Sequence, residues 1–74
     1  MKTEKLLSAS EVDSIVEIRG VKSGHKARIF LADLGVLEGV KLRIIKNNTG
    51  PIIVEVKGTR VAIGRGIAHK IEVL

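Results

Sequence analysis

His25 and His69 carry the strongest metal-ligating side chains in this 74-residue sequence, which contains no cysteine. Metal sites usually draw their ligands at short spacings, such as two on one helical turn. These histidines lie far apart, and no third strong ligand stands near either. Solvated or structural histidines are the simpler reading. The alternative is a weakly bound divalent metal at His25 or His69, completed by a carboxylate such as Asp33 or by a second chain. Nucleophilic catalysis is no better supported, because Ser8, Ser10, Ser14 and Ser23 lie in no local nucleophile motif. Gly64, Arg65 and Gly66 hint at a phosphate loop but lack the longer glycine pattern and the following Lys-Ser/Thr. The expectation is a non-enzyme with no catalytic residue and no required cofactor.

Charge supplies a second kind of chemistry. Thirteen Lys and Arg against eight Asp and Glu give a formal net charge of +5. Residues 1–37 hold six basic and five acidic groups, and residues 38–74 hold seven and three, so the second half carries the field. Such a surface attracts nucleic acid, anionic lipid or an acidic protein, and it also serves plain solubility. Single-strand binders stack bases on exposed aromatics, yet Phe30 is the only aromatic residue. No helix-turn-helix pattern is visible, so no specific nucleic acid is expected. Non-specific phosphate contact through Lys41, Arg43, Lys57, Arg60 and Arg65 stays open.

The elements that must position these groups are mostly strands. Ser8 and Glu11 have capping-box spacing, which predicts a helical turn before Asp13. Val16 and Ile18 alternate with Glu17 and Arg19 in a strand over 14–19, followed by a polar turn between Gly20 and Gly24. Over 26–34, Ala27, Phe30, Leu31 and Leu34 recur at helical spacing, with Phe30 placed on the buried face. Gly35 comes next as a left-handed stop, and Val36 is set to fold back on the last turn. Strands then run around Val40, Leu42 and Ile44, around Ile52, Val54 and Val56, around Val61 and Ile63, and around Ile71 and Val73. Turn signals separate them at Asn47, Asn48, Thr49, Gly50 and Pro51, and at Gly58 and Thr59, while 64–68 reads as a short helical turn.

About five short antiparallel strands and one short helix give a mostly β class, one domain over 1–74. Curling the sheet into a small, partly open barrel hides most of its edges. At 8.0 kDa the folded chain would expose roughly 4,500 Å². That permits one thin core and excludes a large cofactor-enclosing enzyme. No apolar run is long enough to span a bilayer, and the start carries an acid and no long apolar stretch, unlike a signal peptide, so a cytoplasmic protein is expected.

The helix and the segments beyond it form a recognisable run: Arg28, Leu31, Ala32, Asp33, Leu34, Gly35, Val36 and Gly39, then Gly50, Pro51 and Ile52, then Arg60, Ala62, Arg65 and Ala68, and a closing Ile71-Glu72-Val73. It resembles the FeoA family, the small ferrous iron transport protein A, over roughly 14–74. The resemblance implies an SH3-like barrel. It also implies a cytoplasmic accessory of ferrous iron uptake, docking on the cytoplasmic part of the membrane permease FeoB, which has a GTP-binding domain. Localisation would then be peripheral to the inner membrane face. Helical spacing turns Arg28 and Ile29 away from the core, and Val36 and Leu37 sit in the turn beyond. Arg28, Ile29, Val36 and Leu37 are therefore the expected partner-binding patch. A divalent-metal binding or sensing module and a non-specific nucleic-acid-binding barrel stand as alternatives. Self-association through edge strands, giving a homo-oligomer, stays open.

Overall fold

β2 (Ile15–Val21) is the strand on which the architecture turns, because it belongs to two ladders at once. In the computed structural model, which describes residues 5–22 and 24–74, its first half (Ile15, Val16, Glu17) pairs antiparallel with β3 (Lys41–Lys46). Its second half (Ile18, Gly20, Val21) pairs antiparallel with β6 (Ile71–Val73). A register shift between Ile18 and Gly20 leaves Arg19 as an extra residue, the kind of bulge that bends a strand. β4 (Ile52–Val56) pairs with β3 across a second shift at Ile45, and β5 (Thr59–Ile63) pairs with β4. β1 (Lys5–Leu6) pairs with β6 on the other side. The order is β1-β6-β2-β3-β4-β5, with β1 and β5 as the two edges. This is a mostly β fold built on an open, bent sheet. β1 is a sixth strand that the alternation pattern did not reveal. Two residues are too few to show a period.

Alternation buries one face. Val16, Ile18, Leu42, Ile44, Ile52, Val54, Val56, Val61, Ile63, Ile71 and Val73 join Leu7, Leu31, Val36 and Ala68 in a single core. Burial of this set is the main stabilising term.

α1 (His25–Asp33) sets Leu31 into the core and stops as expected. Gly35 adopts φ +87°, its N–H bonds to Ala32 O at 2.9 Å, and the Val36 N–H reaches back to Leu31 O at 2.8 Å. This is a Schellman motif, with Val36 folded onto Leu31 in the core. Phe30, however, is 52% exposed and is not a core residue. At about 100° per residue it lies roughly 60° round from Ala27, on the flank away from Leu31. The turn before Asp13 also differs from expectation. A 3-10 turn spans Leu7–Ala9, with Leu6 as its cap and no side-chain capping bond. Ser10 Oγ donates instead to Leu6 O at 3.3 Å, and Ser8 looks elsewhere. α2 (Arg65–Ala68) is the expected single turn. Ser23 lies outside the described residues.

Candidate functional site

The outer side of α1 and the turn beyond it present apolar side chains to solvent. Ile29 is 48% exposed, Phe30 52% and Leu37 50%. Of the four residues expected to form the partner patch, Arg28, Ile29 and Leu37 face outward. Val36 is 1% exposed and belongs to the core, because the Schellman turn that ends α1 folds it inward. Arg28 and Leu37 meet at a recess of about 210 Å³ that also touches Gly20, Val21 and Glu38. Ile29 is not among the residues lining that recess.

A larger open groove, of about 610 Å³, runs between α1 and the β4–β5 hairpin. Phe30, Asp33 and Leu34 form one wall, and Lys57, Arg60 and Ala62 contribute to the other. Phe30 is the member that sequence reasoning placed wrongly. The helical angle between Ala27 and Phe30 is the signal that locates it. Arg60 sits opposite Glu55 on the paired strand.

The histidines do not converge on a metal site. His25 is the first residue of α1. His69 follows α2, where its Nδ1 lies 2.7 Å from Ser8 Oγ. Among the described residues, no group of three or more His, Asp or Glu side chains is placed to hold a metal ion.

A polar brace ties three segments together. Asn47 Nδ2 donates to Ser8 O at 3.1 Å and to Ser10 O at 2.7 Å. Arg65 Nη2 donates to Asn47 Oδ1 at 3.0 Å, and its Nε donates to Gly50 O at 3.1 Å. The 3-10 turn, the β3–β4 turn and α2 are thereby pinned to one another. Arg65, read from sequence as part of a candidate phosphate contact, spends its guanidinium on this brace. No local pattern could reveal this, because its partners are distant in sequence.

Among the described residues no helix is long and apolar enough to cross a membrane. A protein from Methanocaldococcus jannaschii, provisionally named Fe(2+) transport protein A, is 38% identical over 68 residues, covering 92% of this chain and 82% of its own. The crystal structure of an iron uptake regulatory protein, FeoA, superposes with a TM-score of 0.88 at 30% identity, covering 96% of both chains. A zinc complex of Stenotrophomonas maltophilia FeoA, described as an SH3 domain protein, matches at a TM-score of 0.81 with 22% identity, covering 95% of this chain and 89% of that one, and speaks to the fold alone. The FeoA domain family matches residues 5–74, all but the first four positions of the sequence. With β1 through β6, the Schellman-capped α1 and the closing Ile71-Glu72-Val73 all inside that match, the chain belongs to the FeoA family, a family of iron transport proteins.

Proposed function

We propose that this protein is a docking module that binds the cytoplasmic part of a FeoB-type ferrous iron permease and regulates it. The carrying observation is the exposure of Ile29, Phe30 and Leu37 on and just after α1, with Arg28 and Leu37 lining one recess. Exposed apolar side chains rimmed by charge suit a protein interface better than a catalytic centre. Family membership supplies the ferrous iron context. The basic surface, at net +5, favours an acidic partner face and a salt-dependent association rate.

The direct test is capture of the purified cytoplasmic part of such a permease by the purified protein at moderate salt. Ile29→Glu places a charge in the apolar patch and is expected to weaken capture about tenfold or more. Unchanged capture by a folded Ile29→Glu would remove this patch, and absence of any capture by the wild type would remove the docking role. Calorimetry with iron(II) under anaerobic conditions tests the metal-binding alternative, which requires heat at micromolar metal.

A further inference from the structure

We propose that the groove between α1 and β5 is a slot for one extended peptide strand, added to the free edge of β5 and carrying alternating apolar and acidic side chains. Such a slot rests on the docking reading and specifies how a partner segment would bind.

Backbone geometry assigns the free edge. Lys57 and Gly58, at φ 51° and 83°, form a two-residue hairpin turn of the type with two positive φ values. Val56 and Thr59 flank that turn and so form a hydrogen-bonded pair. Alternation then makes Val54 with Val61 and Ile52 with Ile63 hydrogen-bonded pairs as well. Glu55 with Arg60 and Ile53 with Ala62 are the non-hydrogen-bonded pairs. The N–H and C=O of Arg60 and Ala62 therefore point away from β4. β5 is the last strand of the sheet, and no described backbone group outside its own ladder bonds to either residue. Such a row of open donors and acceptors is a template for another strand.

The occupant is set by the walls. An incoming strand lies about 4.8 Å from β5, in the groove overlooked by Phe30 and Leu34. Its inward side chains meet Phe30, Leu34 and Val61, which calls for apolar residues. Its outward side chains lie beside Arg60 and Lys57, which calls for carboxylates, with Asp33 the one acid among the lining residues. A second copy pairing through its own β5 would bring its own α1 against this one. A single strand with two walls around it fits the groove better.

The probe is a blocked synthetic decapeptide of alternating valine and glutamate, added to the full chain and followed by amide exchange and chemical-shift mapping. The expected result is exchange slowed about tenfold at Arg60 and Ala62, with shifts at Phe30 and Leu34. Ala62→Pro removes an outward N–H that makes no bond to β4, so the strand is expected to survive while peptide binding falls at least about tenfold. Arg60→Glu is expected to reverse the preference toward a valine–lysine peptide, and this decides the matter if Ala62→Pro does not fold. Shifts confined to another surface, no binding at millimolar peptide, or a folded Ala62→Pro that binds normally would overturn the proposal. Self-association abolished by Ala62→Pro would overturn it in favour of a second copy. Permease capture that is indifferent to Ala62→Pro sinks strand addition and leaves docking standing, whereas peptide binding without permease capture does the reverse.

Discussion

Asn47 accepts a bond from Arg65 while donating to Ser8 O and Ser10 O, so it satisfies backbone carbonyls of a segment far away in sequence. Asn47→Ala leaves those groups without their partner and is expected to destabilise the fold by about 1–3 kcal/mol, read from urea unfolding. Arg65→Ala removes bonds that are partly exposed and is expected to cost less, about 0.5–1.5 kcal/mol. Asp13 has φ 71°, a conformation that penalises a side chain, and its N–H bonds to Ile44 O at 2.7 Å. Asp13→Gly is expected to be more stable than Asp13→Ala by about 1 kcal/mol or more, since only glycine sits there without strain. At this scale the sequence was least legible. The outward turn of Arg28 and Ile29 could be read from helical spacing, whereas the occupation of Arg65 depends on where other segments lie.

Elements were more legible than residues, because period and punctuation are local signals. The alternation of Ile52, Val54 and Val56 and the Gly35 stop both predict what is found, down to the inward fold of Val36. The 3-10 turn departs from the capping-box expectation because Ser8 bonds to His69 rather than capping its own turn, a choice made by tertiary contact. Gly35→Ala forces a Cβ into a left-handed residue with Val56 Cγ1 at 3.6 Å, and is expected to cost about 1–2 kcal/mol and shift the thermal midpoint down. Lys57 occupies the first position of a turn that favours Asn-Gly, so Lys57→Asn is expected to stabilise the β4–β5 hairpin by about 0.5–1 kcal/mol in the same measurement.

At the scale of the whole molecule, one thin core holds a domain whose total stability is expected to be about 4–11 kcal/mol. Ile44 is fully buried at its centre, so Ile44→Ala, at about 2–5 kcal/mol, removes a large share of it. The sheet order has a consequence for how the chain is made. β6 lies between β1 and β2, so the first of the described strands to be synthesised has as its sheet neighbour the last of them. While the ribosome is still adding residues, β3, β4 and β5 can zip into a meander by neighbouring hairpins, but the β1 and β2 edges must wait for Ile71, Glu72 and Val73. Closure is therefore a late, long-range step, and the unfinished molecule carries bare strand edges that a chaperone or another nascent chain can reach.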